Sequence, residues 1–144
     1  MIDIQYPAIM IWKNGTIWIG RTHDELFYSA MHAYKKGMFE KAKIYDSQFN
    51  VFEIAAINKY KGKGFLGGYN LYFNRRVVLY PEFSELNKIN IVDLKTMLVG
   101  LSNKGIYRSG DNAGGVKQSI ESAKTFEEIF ISIDTMLNGP QNLK

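Results

Sequence analysis

The chain has 144 residues, of which 46% are hydrophobic and 22% charged, and this is the size and composition of one folded domain over residues 1–144. It contains no cysteine and two histidines, His23 and His32, which excludes disulfide frameworks, cysteine-based metal sites and Cys-His catalysis. The net charge of +4 is uneven: residues 35–76 carry nine basic and three acidic residues, and the remainder carries nine basic and eleven acidic.

The N-terminal residues predict a protein that stays in the cytoplasm. Residues 1–7 show no basic leader followed by an apolar run, and no later stretch reaches the roughly 18 apolar residues of a membrane span. Residues 8–20 then hold two β-rich runs on either side of Asn14-Gly15. This pattern predicts a β-hairpin with a two-residue type I′ turn, in which Trp12 and Trp18 could stack on one face.

A helix is predicted from Thr22 to Gly37. Thr22 and Glu25 have the spacing of a capping box, Gly37 suits the helix end, and an apolar stripe follows at helical spacing: Phe27, Ala30, Met31 and Tyr34. His23 and His32 are nine residues apart, so at 100° per residue they point to opposite faces. We therefore expect no shared metal or substrate at the two histidines.

The middle of the chain predicts further strands. Residues 41–46 and 49–60 are strand-like, and residues 61–68 are a glycine-rich break. Residues 69–73 and 76–80 alternate as two strands, or as one strand interrupted near Asn74, before Pro81, which is expected to end the run. The glycine-rich break lacks the spacing of known phosphate-binding loops and precedes a strand, so we interpret it as a hairpin loop.

After Pro81 the pattern becomes helical. Asn90 is the predicted cap of a helix, and Thr125 with Glu128 forms a second capping box. The three helices have these apolar positions: Ile91, Leu94, Leu98 and Leu101; Val116, Ile120 and Ala123; and Phe126, Ile129, Phe130, Ile133 and Leu137. The predicted fold class is α+β: an antiparallel sheet with an N-terminal hairpin, one helix inserted after it, and two to three C-terminal helices packed on the sheet.

The best candidate surface is a basic-aromatic strip in the middle of the chain: Lys59, Tyr60, Lys61, Lys63, Arg75 and Arg76. Lysine, arginine and tyrosine suit an acidic protein partner, and the same residue types suit single-stranded nucleic acid. A solvated loop that keeps a sheet edge soluble is the third interpretation. With no catalytic set and no metal-ligand spacing, we expect a non-enzymatic protein without catalytic residues, metal or cofactor.

The order of elements resembles the small immunity proteins of bacterial polymorphic-toxin and contact-dependent growth inhibition systems. The likeness is carried by the Trp12 and Trp18 hairpin, the following meander and the late helices, through these segments: 44–46, 52–54, 75–79, 93–95 and 126–129. It implies a cytoplasmic protein that binds a cognate toxin domain and blocks it by occlusion. The basic middle implies an acidic toxin surface, or docking through the −2 remainder of the chain. The alternative is a small nucleic-acid-binding module that uses the same strip.

Overall fold

The computed structural model describes residues 3–62, 76–102 and 113–138. The predicted strand over residues 69–73 lies outside these ranges, as do Lys63 and Arg75. The elements are β1 Ala8–Ile11, β2 Ile17–Gly20, α1 His23–Leu26, β3 Tyr28–Ala30, α2 Met31–Lys35, β4 Lys43–Asp46, β5 Val51–Gly62, β6 Arg76–Leu86, α3 Ile91–Ser102, α4 Ala113–Ser122 and α5 Phe126–Asn138.

The strands form one antiparallel sheet in the order β2-β1-β4-β5-β6-β3. This sheet, with its N-terminal hairpin and C-terminal helices, confirms the predicted α+β class. The edge strands β2 and β3 lie at opposite ends of the order, yet only residues 21–27 separate them. Five strand spacings of about 4.8 Å exceed what seven residues that include a helix can span. The sheet therefore curls, which brings its two edges toward each other.

Two apolar clusters occupy the two faces of the sheet. The first joins the C-terminal helices to β1, β2, β4 and β5 through residues such as Ile9, Tyr45, Leu98 and Phe130. The second packs α1, α2 and the following turn on the other face through residues such as Met10, Phe27, Phe39, Ile44 and Leu79. In β1 and β4, successive residues alternate between the two clusters, as expected for strands buried on both faces, whereas Val77, Val78 and Leu79 of β6 all belong to the second cluster.

The hairpin turn differs from the predicted type. Trp12 N–H donates to Thr16 O at 2.8 Å, Gly15 N–H donates to Trp12 O at 2.8 Å, and Gly15 has φ of 91°. The connection is therefore a three-residue loop, a type I turn followed by a left-handed glycine, and not a two-residue type I′ turn. Asn14 still acts as a turn residue, because its side chain accepts a 2.9 Å bond from Thr16 N–H.

The two tryptophans of the hairpin have separate partners. The Trp12 ring lies 4.9 Å from the Phe39 ring in the second cluster. The Trp18 indole N–H donates to Glu25 O of α1 at 3.1 Å, and this side chain is exposed. The two rings thus attach the hairpin to different elements, where the sequence suggested that they stack on each other.

The helix predicted from Thr22 to Gly37 is two short helices, α1 and α2, separated by β3. Its predicted Thr22 cap forms, with Glu25 N–H donating to Thr22 Oγ1 at 3.2 Å, but the Glu25 carboxylate accepts from Arg21 N–H at 2.7 Å, one residue before the position that a capping box uses. The helix then ends at Leu26, because residues 28–30 pair with residues 76–78 of β6. Pairing at the sheet edge outweighs a helical preference that is weak for tyrosine and serine. Gly37 ends α2 with φ of 74°, as predicted.

Pro81 does not end its strand, and β6 continues to Leu86. At Pro81 the neighbour β3 has already ended, so β6 is an edge on that side and the missing proline N–H costs no ladder bond. The long partner β5 carries register shifts between Ile54 and Ala56 and between Ile57 and Tyr60.

In the late helices, the described positions of the predicted apolar stripes are buried or partly buried, with one exception in α5, and the side chain of Val116 lies outside what the structure describes. The α5 positions Phe126, Ile129, Phe130 and Ile133 are buried, whereas Leu137 is 41% exposed. In the last turn the core-facing position is Met136, which packs partly buried against the first cluster. The predicted caps form: Asp93 N–H donates to Asn90 Oδ1 at 2.8 Å, and Glu128 N–H donates to Thr125 Oγ1 at 3.2 Å.

Candidate partner-binding surface

The strand register places Lys61 and Arg76 of the basic-aromatic strip on one face of the sheet. Residues opposite each other in an antiparallel pair share a face, and alternate residues of a strand share it too. Lys61 is opposite Val78, and Val78 is opposite Tyr28 of β3. Arg76 and Tyr80 lie two residues before and after Val78, so they project from the same face.

Lys59 belongs to the same group by direct contact. Its Nζ lies 5.7 Å from the centroid of the Tyr80 ring, within the range of a cation–π interaction. We call this group the cationic face, defined by the exposed residues Lys59, Lys61, Arg76, Tyr28 and Tyr80. The strip members Lys63 and Arg75 lie outside the described residues, so the structure does not place them.

Tyr60, the aromatic member of the predicted strip, projects from the opposite face. It pairs with Leu79, and its ring lies 5.6 Å from the ring of Tyr34. The structure therefore separates Tyr60 from Lys59 and Lys61. The sequence placed them together because they are neighbours in the chain, but adjacent strand residues point to opposite faces.

Two tyrosines that the sequence reasoning missed supply the aromatic part of the cationic face. Tyr80 is 37% exposed and Tyr28 is 40% exposed. The alternation Arg76, Val78, Tyr80 within one strand was a usable signal for Tyr80. Tyr28 carried no such signal, because its place depends on the pairing of β3 with β6.

His23 supports the cationic face from the edge of the sheet. Its ring stacks on Tyr80 at 4.9 Å with an interplanar angle of 20°, and lies 4.7 Å from the Phe27 ring. Its Nε2 is 2.9 Å from Leu79 O. These contacts fix the imidazole against Tyr80. His32 lies in α2, so the predicted opposite-face relation, which assumed one continuous helix, does not apply.

The positive character of the cationic face ends along β6 at Glu82, which follows Tyr80 on the same face. The three cations and two phenol groups can hydrogen-bond and attract carboxylates or phosphates. By the strand register, the same face of β6 reaches Leu86, which is opposite Val51 of the first cluster. The cationic face is thus the exposed continuation of a buried sheet face.

The remaining findings concern metal binding, membrane spans and similarity to known proteins. Within residues 3–62, 76–102 and 113–138, no group of three or more histidine, aspartate and glutamate side chains is arranged to hold a metal ion. None of the helices in these ranges has the length and apolar character needed to cross a bilayer. Comparisons with protein-family models, with curated proteins and with solved structures found no match to this chain.

Proposed function

We propose that this chain is a non-enzymatic binding protein of the immunity type, which neutralises a cognate bacterial toxin domain by occluding it with the cationic face. The observation that supports this proposal is the convergence of three exposed cations and two exposed tyrosines on one sheet face. Tyrosine and arginine are enriched among the residues that contribute most to protein interfaces, and a concentrated positive charge speeds association with an acidic surface.

The environment of Tyr80 favours a protein partner over a nucleic acid. One face of its ring is already covered by His23, which stacks on it at 4.9 Å. Bases stack on the flat faces of aromatic rings, so less of this ring is open to a base. The hydroxyl group and the ring edge remain available to side chains of a protein partner.

The test uses the toxin domain encoded beside this gene, produced in the same cells. The unchanged protein should protect growth and bind the purified domain one to one by calorimetry. The variant with Lys59→Glu, Lys61→Glu and Arg76→Glu should bind at least about a hundredfold more weakly, because like charges then face the acidic partner. The control variant has Lys13→Glu, Lys88→Glu and Lys124→Glu, which changes the net charge equally at exposed positions elsewhere.

Three outcomes decide between the parts of this proposal. Growth protection by the unchanged protein and the control variant, but not by the Lys59, Lys61 and Arg76 variant, supports it. Equal loss of protection in both variants would show that the effect comes from net charge alone, and would reject the cationic face as the interface. Failure of the unchanged protein to protect against the neighbouring domain would contradict the immunity role.

Single-stranded nucleic acid is the second candidate, because exposed tyrosines flanked by cations also make a stacking surface. Fluorescence anisotropy with a labelled oligothymidine would show binding that weakens steeply with salt and needs no partner protein. The Lys59, Lys61 and Arg76 variant should then lose that binding. Lack of any anisotropy change at low salt would remove this candidate.

A further inference from the structure

A groove of about 650 Å³ lies between β5, the end of α2 and the turn that follows α2. Its walls include Tyr34, Lys35, Phe39 and Lys41 on one side and Ala55 and Ile57 of β5 on the other. Phe39 and Ile54 are almost fully buried, so they form an apolar floor. Tyr34 and Ile57 lie on the side of the sheet opposite to the cationic face. The groove is therefore a separate surface and does not depend on the function proposed above.

The β5 wall of the groove is a strand edge. Strand β4 pairs with residues 51–53 of β5, and beyond this pairing the backbone bond of Ile54 N–H to Ala42 O, at 2.9 Å, continues the contact on this side. Strand β5 continues to Gly62, and within the described ranges no strand pairs with it on this side beyond Ile54. Instead, the chain after α2 turns away and leaves the groove between itself and β5.

The backbone of Ile57 points into this gap. Ile57 is opposite Pro81, which has no N–H, so the two residues form a pair that exchanges no backbone bonds. In such a pair the N–H and C=O groups both point away from the partner strand. Tyr34 confirms the direction, because its hydroxyl donates to Ile57 O at 2.9 Å from the groove side.

We propose that the groove binds an extended peptide of a partner protein, which pairs as an added strand with β5 at Ile57 and seats an apolar side chain on Phe39 and Ile54. A strand edge selects an extended backbone, and the pocket beside it selects alternate side chains. The charged lining residues Lys35 and Lys41 outnumber Glu40, and Lys41, whose Nζ lies 3.7 Å from Glu53 Oε1, keeps 69% of its side chain exposed. An acidic peptide is therefore favoured over a second copy of this basic chain.

The first experiment uses acetylated heptapeptides that alternate glutamate and valine, with fluorescence polarisation as the readout. The peptide should bind, and N-methylation of the backbone amides on one edge of the peptide should weaken binding at least about tenfold, because it removes the strand-pairing donors. Hydrogen exchange should show protection of the Ile57 amide when the peptide is bound. A lysine–valine peptide of the same length is the charge control and should bind more weakly.

The second experiment fills the groove. Ala55 is exposed and lines the groove, so Ala55→Trp should block the peptide whereas Ala55→Ser should not. Circular dichroism of both variants checks that they fold. Equal binding of the N-methylated peptide, no binding by the glutamate–valine peptide, or protection of Ile57 by self-association alone would each overturn the proposal. None of these results bears on the cationic face, whose test uses other residues.

Discussion

Asp46 shows how one buried side chain organises a turn and the N-terminal segment together. It has no exposed surface, and its carboxylate accepts bonds from the backbone N–H groups of Gln5, Gln48 and Asn50 and from the Asn50 side chain, at 2.9 to 3.1 Å. A buried carboxylate is stable only when donors surround it in this way. The sequence indicated a break between the strand-like residues 41–46 and 49–60, but the Gln5 donor is 41 residues away from Asp46 and left no local signal.

Replacing Asp46 should therefore be costly. Asp46→Ala removes four accepted bonds and leaves buried donors unpaired, which should lower the free energy of unfolding by about 3 kcal/mol. Asp46→Asn keeps the shape of the side chain and one of its oxygens, so this variant should lose less stability than Asp46→Ala. Urea denaturation followed by tryptophan fluorescence measures both. An alanine variant as stable as the unchanged protein would contradict the role assigned to Asp46.

At the scale of elements, the sequence predicted what local signals determine. The caps at Thr22, Asn90 and Thr125 form because a side chain and a backbone N–H three residues later suffice to make them. Strand β3 was missed because its partner, β6, begins 48 residues after it. The same distinction applies to the candidate site. The cations could be identified from the sequence, whereas Tyr28 lies beside them only because β3 pairs with the distant strand β6.

Two glycines in defined elements should respond in opposite directions to alanine. A Cβ atom on Gly20 of β2 would lie 2.5 Å from Leu26 N of α1, so Gly20→Ala should destabilise the fold by about 2 kcal/mol. A Cβ atom on Gly100 of α3 would meet nothing within 4 Å, so Gly100→Ala should stabilise it by about 0.5 kcal/mol through helix propensity. Thermal unfolding of the two variants side by side checks both signs.

At the scale of the molecule, one sheet packs against an apolar cluster on each side, and the cationic face stays exposed at one end of this sheet. Composition predicted a single domain with a positive middle, and the α+β class followed from the order of strand and helix signals. The order of these signals did not predict the strand order or the curl of the sheet, because both depend on which strands pair across long stretches of chain. The β5 groove was missed for the same reason, since it arises where β5 continues past the first residue of β4, Lys43.

The stability of the whole molecule should fall in alkaline solution through Tyr6. Burial, followed by the charges of Asp3 and Asp24, raises the pKa of Tyr6 from 10.0 to about 12. Between these values the unfolded chain has released the proton and the folded protein has kept it, so unfolding releases a proton and rising pH favours it. Tyr6→Phe should flatten the stability profile between about pH 10 and 12, as measured by urea denaturation. If Tyr6→Phe leaves the dependence of stability on pH unchanged, other groups cause the alkaline loss of stability.

The contacts of α1 have a consequence for association between molecules. This four-residue helix packs against Gly20 of β2 at one sheet edge, and the residue after it, Phe27, accepts a bond from Leu79 N–H at the other edge. Local loss of α1 would therefore uncover both margins of the rolled sheet in a single event. Exposed strand margins recruit other chains, so this four-residue helix protects the fold against aggregation.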